Sequence, residues 1–229
     1  MFFPWVGLFE QVRLADVFVH YDDVQLPQGR TFITRVQLKG PDGPYWLTMP
    51  VKRQSQLPDI NETVTNDDQD WRRSHLKTLH HMYARATFGR EMLDLVEGVY
   101  AMDAHNIATL NAAAIERIAG YFDLECEFRT SSETRVDGKS SERLLAIVVQ
   151  LGGDRYITGH GARNYLNHEL FEESGVRVEY MKYNRAEYKQ LHGAFTPFVS
   201  ILDLIANEGK DGRRVISSPS IYWKEFLSE

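Results

Sequence analysis

Short apolar strand patterns alternate with helical segments in the second half of the chain, and this alternation restricts the fold more than any other feature. Strand patterns at residues 125–129, 155–158 and 176–180 are separated by helical patterns at residues 140–151 and 162–173. Strands joined by helical crossovers pair in parallel, and the helices pack on the faces of the sheet. The alternation therefore predicts an α/β fold with a mostly parallel sheet flanked by helices.

A further strand and a β-hairpin are predicted before this region. Residues 15–21 form an apolar strand pattern, and residues 32–38 and 45–51 alternate on either side of a Gly-Pro-Asp-Gly-Pro turn. Two alternating segments around such a turn are typical of a hairpin. Residues 52–66 show no regular period, so we predict a loop there.

Helical periods occupy the middle of the chain. Apolar residues recur at three- and four-residue spacing in helices predicted from about residue 70, at 89–101 and at 104–121. We expect these helices to form a lobe over about residues 68–121 within a single α/β domain of residues 1–229. A late helix is predicted from residue 200, followed by a polar tail at residues 208–229.

The composition excludes several classes of protein. The chain has 229 residues, 43% of them hydrophobic, with a net charge of −6 and one cysteine. A negative charge argues against nucleic acid as the main partner, and one cysteine excludes an internal disulfide framework. No uncharged apolar run reaches the ~18 residues of a membrane span, and the apolar start lacks a basic leader. We therefore expect a cytoplasmic protein without a membrane span.

Two adjacent carboxylates, Asp22 and Asp23, follow the first predicted strand. Ligands of open α/β sheets bind outside the carboxyl ends of strands, where such a pair can act as a general base or bind a cation. The same pair is also common in turns that begin the next element. Arg30 and Arg35 follow closely and can neutralise the carboxylates or bind a phosphate.

A glycine-containing turn follows the strand at residues 155–158. We expect it to surround an anion with backbone N–H groups and the Arg163 guanidinium, as for the phosphate of a nucleotide sugar or a phosphopantetheine arm. The alternative is a tight connection between strand and helix. Asn164 replaces the third glycine of a dinucleotide-binding fingerprint, so that motif is absent. The candidate residues of the turn are Gly159, His160, Gly161, Arg163 and Tyr165.

Two other segments contribute candidate substrate-binding residues. Glu142 and Arg143 lie at the start of a predicted helix, where capping is the alternative role. Tyr188 and Gln190 lie in an aromatic-rich loop, which suits either a loop over a ligand or a structural loop.

His75 lies on the apolar face of its predicted helix, where a histidine is either a satisfied core residue or a base. His80 and His81 lie roughly 140° and 240° from it around the helix. The three histidines therefore do not converge on one zinc ion, and we predict no metal ligands. His75 joins Asp22 and Asp23 in the candidate catalytic set.

Several segments taken together resemble the WbqC-like family, and they follow the order of that family along nearly the whole chain. The segments are residues 2–7, 15–25, 46–51, 141–145, 151–166 and 188–204. Family members usually begin with a short strand before the first segment, whereas here Met1 directly precedes Phe2. We therefore expect either a natural start upstream of Met1 or the loss of that strand.

The resemblance implies a role in the biosynthesis of bacterial O-antigen or another surface glycan. Association of the family with gene clusters for N-acylated amino sugars implies transfer of an acyl or aminoacyl group to a nucleotide-linked amino sugar. An acyl carrier protein with a phosphopantetheine arm is the implied donor, and no tightly bound cofactor is expected. Such transfer needs a base for the sugar ammonium and donors for the developing oxyanion.

The expected site is one cleft at the carboxyl edge of the sheet. The expected roles are a base or its partner for Asp22, Asp23 and His75, phosphate binding for Arg35, Arg143 and Arg163, and substrate positioning for Tyr165, Tyr188 and Gln190. Two alternatives stay open. One is a nucleotidyl- or glycosyltransferase whose Asp pair holds Mg²⁺, and the other is a non-catalytic protein that binds a glycan or a carrier protein.

Overall fold

A computed structural model of the chain describes residues 1–52 and 58–229. Part of the loop predicted at residues 52–66, namely residues 53–57, lies outside this description. The contacts between residues divide the chain into two compact units. The first comprises Met1–Val6, Asp22–Leu124 and Arg185–Val215, and the second comprises Gly7–Tyr21, Glu125–Asn184 and Ile216–Glu229.

The described residues form helices and strands in a mixed order. The α-helices are α1 (Val6–Leu14), α2 (Trp71–Tyr83), α3 (Gly89–Tyr100), α4 (Ile107–Tyr121), α5 (Ser131–Thr134), α6 (Ser140–Gln150), α7 (His168–Glu173), α8 (Ile201–Glu208) and α9 (Trp223–Ser228). The 3₁₀ helices are Ile60–Glu62, His160–Asn164 and Gly209–Val215. The strands are β1 (Val17–His20), β2 (Arg35–Gly40), β3 (Gly43–Thr48), β4 (Glu127–Thr130), β5 (Arg155–Thr158), β6 (Arg177–Met181) and β7 (Ser220–Tyr222).

The mixed α/β class is confirmed, but a mostly parallel sheet is not. β1 pairs with β4 and β5 pairs with β6 in parallel, whereas β2–β3 and β6–β7 are antiparallel pairs. The described strands form sheets of only two or three strands. The strand–helix alternation correctly predicted that two of the strand pairs are parallel. It did not predict which strands share a sheet, because that depends on contacts between residues far apart in the sequence.

The first unit contains the predicted hairpin and the three predicted central helices. β2 and β3 meet at a two-residue turn, and Gly43 after the turn has a φ of +115°, which favours glycine. The residues of α2 that are buried were all expected on its inner face, and they are Trp71, His75, Leu79, Met82 and Tyr83. α4 begins at Asn106, whose side chain accepts hydrogen bonds from the backbone N–H groups of Ala108 and Thr109. The lobe and the single-domain assignment stay predictions.

The second unit packs its helices and strands around an aromatic core, and here two expectations are corrected. The helix predicted at residues 162–173 is interrupted, because Asn167 begins α7 as its N-cap and separates it from the 3₁₀ helix His160–Asn164. The end of the chain, predicted as a polar tail, forms regular elements, and Trp223 and Phe226 are buried in the core. The Phe226 ring stacks on Tyr180 with 4.1 Å between the ring centroids. Single apolar residues in such short elements produce no detectable period.

In the part of the chain that the structure describes, no helix is both long enough and apolar enough to cross a membrane.

Candidate functional site

A groove of about 530 Å³ runs between β3 and the N-terminal half of α2 in the first unit. This volume lies in the range of small-molecule sites. β3 contributes Tyr45, Trp46 and Thr48 to one wall. Residues at the start of α2 and along it form the other wall, including Asp70, Ser74 and His75. The groove therefore combines exposed aromatic rings with hydrogen-bonding groups.

His75 joins the two walls of the groove. Its Nε2 lies 3.0 Å from the Thr48 carbonyl oxygen and can only donate to it, so Nδ1 of the neutral ring accepts from the Tyr100 hydroxyl at 2.9 Å. Burial lowers the pKa of His75 to about 4, although the Thr48 carbonyl partly opposes this shift. The ring is therefore neutral near pH 7 with both nitrogens engaged. This arrangement suits a residue that holds α2 against β3, and the predicted role of His75 as a base stays a prediction.

Polar groups lie at regular helical spacing along the α2 wall. Asp70 occupies the N-cap position of α2, but its side chain forms no capping hydrogen bond. Ser74 and Thr78 follow at four-residue intervals and also line the groove, so the three side chains lie on one face of the helix. The Thr78 hydroxyl donates to the Ser74 carbonyl at 3.0 Å. A carboxylate and two hydroxyls thus line one wall of the groove.

Asp67 fixes the turn that leads into α2. Its carboxylate accepts hydrogen bonds from Trp71 Nε1 at 2.7 Å and Thr65 Oγ1 at 2.9 Å, and it contacts Arg72 at 2.7 Å and His105 at 2.5 Å. Burial alone raises the pKa of Asp67, but the hydrogen bonds from Trp71, His105 and Thr65 and the charge of Arg72 outweigh it and lower the pKa to about 2. Asp67 is therefore ionised in ordinary buffers, and it holds the entrance to α2 in place.

Arg35, a predicted phosphate-binding residue, lies beside the groove. It is the first residue of β2 and pairs with Thr48 of β3. Its guanidinium carbon lies 3.9 Å from the ring centroid of Trp46. The structure therefore places Arg35 and His75, two of the residues proposed from the sequence, at this groove or against its wall.

The paired carboxylates Asp22 and Asp23 also belong to the first unit. Asp22 is buried, and its backbone carbonyl accepts a hydrogen bond from the N–H of Asn61 at 2.9 Å. Arg30 is exposed. None of the three lines the groove, and their predicted roles stay predictions.

Tyr188 and Gln190 take part in a buried hydrogen-bond network. The Tyr188 hydroxyl donates to Asp203 Oδ1 at 2.9 Å and accepts from Gln190 Nε2 at 2.9 Å. The Tyr83 hydroxyl donates to the other oxygen of Asp203 at 3.1 Å. Lys39 Nζ donates to Gln190 Oε1 at 3.1 Å, so the network connects the segment before α8 with β2 and α2. The structure thus places Tyr188 and Gln190 in a hydrogen-bond network of the first unit, and their predicted substrate-binding role stays a prediction.

The electrostatics of Asp203 reflect its complete burial. Burial raises the pKa of the Asp203 carboxyl, and this effect exceeds the opposing hydrogen bonds from Tyr188 and Tyr83 and the opposing charges of Lys39 and His192. The sequence did not single out Asp203 or Lys39, because Asp203 lies in an apolar helical pattern and Lys39 lies at the end of a strand pattern beside the hairpin turn.

Arg143 is a buried residue of the second unit. Its Nε donates to the Val136 carbonyl at 2.8 Å, and its guanidinium carbon lies 5.0 Å from the centroid of the Tyr21 ring. Glu142 is exposed in the first turn of α6, where a negative charge is favourable near the helix N-terminus.

The glycine-containing turn lies in the second unit as well. The Ala162 N–H donates to the Gly159 carbonyl at 3.0 Å, so this donor is used within the turn. His160 Nε2 donates to the Met181 carbonyl at 2.7 Å, and the exposed Arg163 guanidinium lies 5.8 Å from the Phe226 ring centroid. Gly161 and Tyr165 are also exposed. An anion site at this turn stays a prediction.

The residues proposed from the sequence are therefore divided between the two units. Those in the first unit are Asp22, Asp23, Arg30, Arg35, His75, Tyr188 and Gln190. Those in the second are Glu142, Arg143, Gly159, His160, Gly161, Arg163 and Tyr165. The predicted convergence of an Asp pair, Arg143 and Arg163 in one cleft stays a prediction.

Sequence reasoning missed Tyr45, Trp46 and Asp70 as groove residues. Adjacent side chains in a strand point to opposite faces of the sheet, so Tyr45 and Trp46 cannot both face the same side of the hairpin. In a two-stranded hairpin this signal favours an exposed ring, and Trp46 is 36% exposed. Asp70 gave no signal, because an acidic N-cap is common in any helix.

Within residues 1–52 and 58–229, no group of three or more His, Cys, Asp and Glu side chains is arranged to hold a metal ion.

Comparison with known proteins identifies the family of the chain. The model of the WbqC-like protein family matches residues 1–215. An uncharacterised protein of Mycobacterium tuberculosis, Rv1507c, is 32% identical over 213 residues, which cover 92% of this chain and 91% of that protein. No solved structure matches the chain. The chain belongs to the WbqC-like protein family.

Proposed function

We propose that the protein transfers an acyl or aminoacyl group to the amino group of a nucleotide-linked sugar in bacterial surface-glycan biosynthesis. The sugar binds in the groove between β3 and α2. The resemblance to proteins of surface-glycan gene clusters, together with membership of the WbqC-like family, supports the general setting. The make-up of the groove supports the class of substrate, and it is the observation that carries the proposal.

A pyranose ring presents apolar C–H groups on its faces and hydroxyl groups around its rim. The groove has matching surfaces, since Tyr45 and Trp46 offer aromatic rings while Ser74 and Thr78 offer hydroxyls. Aromatic rings bind apolar faces, and a few placed polar groups fix the orientation of a bound molecule. The combination favours a sugar over a purely apolar or a purely ionic ligand.

Asp70 favours a sugar with a free amino group. Its carboxylate lines the groove and is not used to cap α2. A carboxylate in that position can form a charged hydrogen bond with a sugar ammonium, which is stronger than a neutral one. Acyl transfer then forms an N–C bond and breaks the thioester bond between the acyl group and its carrier. Of the two protons that the ammonium loses, one passes to a base and the other to the departing carrier thiolate. Asp70 is therefore proposed to bind the amine before transfer.

The test compares the affinity of the protein for UDP-glucosamine and UDP-N-acetylglucosamine by titration calorimetry. We expect the free amine to bind more tightly, and Asp70→Asn to remove about tenfold of its affinity while the N-acetyl sugar is unaffected. Trp46→Ala should weaken both sugars. Asp123→Asn changes an exposed carboxylate of the same unit and serves as the matched control. Equal binding of the two sugars, or a preference that survives Asp70→Asn, would count against the amino-sugar site.

Catalysis is tested separately with acylated carrier protein and UDP-glucosamine. We expect mass spectrometry to detect the amide product and free carrier thiol in equal amounts. Binding of the amino sugar without product from any acyl carrier would favour the non-catalytic alternative.

A further inference from the structure

We propose that Phe32, Arg35 and Trp46, which we term the aromatic–arginine shelf, bind the nucleoside diphosphate portion of the nucleotide-linked acceptor sugar. Arg35 binds the diphosphate, and the exposed ring of Phe32 stacks on the base. The inference rests on the proposed function, because it assumes that the sugar lies in the adjoining groove. It assigns a nucleotide, in place of a lipid or a free sugar phosphate, as the carrier of the sugar.

The first observation is that Arg35 has one buried hydrogen-bond donor without a partner in the part of the protein that the structure describes. Its Nε is buried and has no hydrogen-bond partner. Among residues 1–52 and 58–229, the guanidinium forms no ion pair, and it lies over the Trp46 ring. Arg72 also has an unpartnered Nε, but its terminal nitrogens bind Asp67 and the Ala104 carbonyl. A partly buried guanidinium without an anion is costly unless a ligand supplies one.

The second observation is that the shelf is held rigidly. The Phe32 carbonyl accepts a hydrogen bond from the Phe2 N–H at 2.9 Å. The next carbonyl, of Ile33, accepts from Asn111 Nδ2 at 2.9 Å. Stacking on Trp46 fixes the plane of the Arg35 guanidinium. Groups that are ordered before binding lose little entropy when a ligand arrives.

The third observation is the chemistry of the surface. A planar guanidinium presents a fork of donors that matches a phosphate, and it lies here in a protein with a net charge of −6. The Phe32 ring is 51% exposed and lies 5.8 Å from the Trp46 ring. Exposed aromatic rings beside a cationic group are the recurring platform for bases and phosphates. Trp46 also lines the groove, so the shelf and the sugar site share a side chain.

The experiment measures the binding of UDP, uridine and inorganic pyrophosphate by titration calorimetry. Arg35→Met keeps an apolar stem over Trp46 and removes the charge, and we expect it to weaken UDP and pyrophosphate about tenfold or more while uridine is unchanged. Arg35→Lys should restore only part of the affinity, because an ammonium lacks the fork of donors. Phe32→Ala should weaken UDP and uridine about fivefold or more and leave pyrophosphate unchanged.

Matched controls separate this effect from general changes of charge or surface. Arg90→Ala removes an exposed arginine that is already paired with Asp94 and Glu97. Phe198→Ala removes a ring with the same 51% exposure in the same unit. Both controls should bind UDP as the unaltered protein does. Thermal melts of every variant show whether a loss of binding reflects unfolding.

The outcomes distinguish this inference from the proposed function. UDP affinity within twofold of the unaltered protein in both Arg35→Met and Phe32→Ala would overturn the shelf, even if the preference for a sugar amine is retained. Loss of UDP binding in these variants supports the shelf, even if the Asp70 test fails.

Discussion

Among the residues that the structure describes, each of the two units buries one carboxylate completely, and the two carboxylates are held in different ways. In the first unit, Asp203 accepts hydrogen bonds from the hydroxyls of Tyr83 and Tyr188. In the second, Glu10 accepts from the backbone N–H groups of Ser217 and Ser218 and from the Ser218 hydroxyl at 2.7–3.0 Å. The donors named for Asp203 are therefore side chains, whereas Glu10 accepts from two backbone N–H groups as well as from the side chains of Ser218 and Arg13.

The difference shows what each carboxylate stabilises. Glu10 also contacts Arg13 at 3.3 Å, and Arg13 donates to the Ser218 carbonyl. These contacts connect α1 with the segment before β7. Backbone donors stay in place when the carboxylate is removed, and the N–H group of Ser218 is then buried without a partner. The phenol hydroxyls around Asp203 can rotate towards other acceptors. We therefore expect loss of Glu10 to cost more stability than loss of Asp203.

Glu10→Ala is expected to have the largest effect. It leaves the N–H group of Ser217, the buried N–H group of Ser218 and the charge of Arg13 without their acceptor, so the free energy of unfolding should fall by about 3–5 kcal/mol. Glu10→Gln keeps one carbonyl acceptor and should recover part of this loss. Urea unfolding measures both variants, and a loss below that of Asp203→Asn would contradict the comparison.

Asp203→Asn is expected to cost about 1–3 kcal/mol, with a characteristic dependence on pH. Because the pKa of Asp203 is raised in the folded state, the folded protein binds more protons than the unfolded chain between the ordinary carboxyl pKa and the raised value. The stability that this proton contributes is complete below the ordinary value and is lost as the pH rises through the folded pKa. The difference in unfolding free energy between the two proteins should therefore shrink as the pH rises. A difference in unfolding free energy that does not change with pH would show that burial does not raise the pKa of the Asp203 carboxyl.

Tyr188→Phe is expected to have the smallest effect, about 1 kcal/mol. The change removes a hydroxyl that donates to Asp203 and accepts from Gln190, but it keeps the ring that packs against Phe195. Tyr83→Phe is the matched control, since it removes the other phenol donor to Asp203 and leaves Gln190 untouched. Sugar titrations on both variants test the predicted substrate-positioning role of Tyr188. A loss of affinity for Tyr188→Phe that Tyr83→Phe does not share would support that role over a purely structural one.

The helices of the first unit show where prediction from the sequence succeeds. In α2 and α3 the apolar residues repeat on one face because that face packs against other elements, so the pattern records the burial directly. The hairpin was predicted for a similar reason, since strand alternation and turn composition are both local. Trp223 and Phe226 were missed, because three apolar residues in a six-residue helix carry too little periodicity.

The candidate site shows the limit of the same reasoning. The sequence identified Arg35, Arg143 and Arg163 as equivalent candidates for phosphate binding. In the structure, Arg143 donates to a backbone carbonyl, Arg163 lies exposed near an aromatic ring, and Arg35 stacks on Trp46 with a buried Nε that has no acceptor. Their differences arise from neighbours distant in sequence.

The sequence by itself determined the mixed α/β class, the hairpin, the central helices and the resemblance to the WbqC-like family. These features depend on local hydrophobic periods, turn composition and the order of motifs, all of which can be read from the order of residues along the chain. Only the tertiary structure decided which of the described polar groups have hydrogen-bond partners within the protein and which do not. That distinction depends on the atoms within about 3–4 Å of each group, and those atoms come from segments such as β2, α2 and the loop before α8.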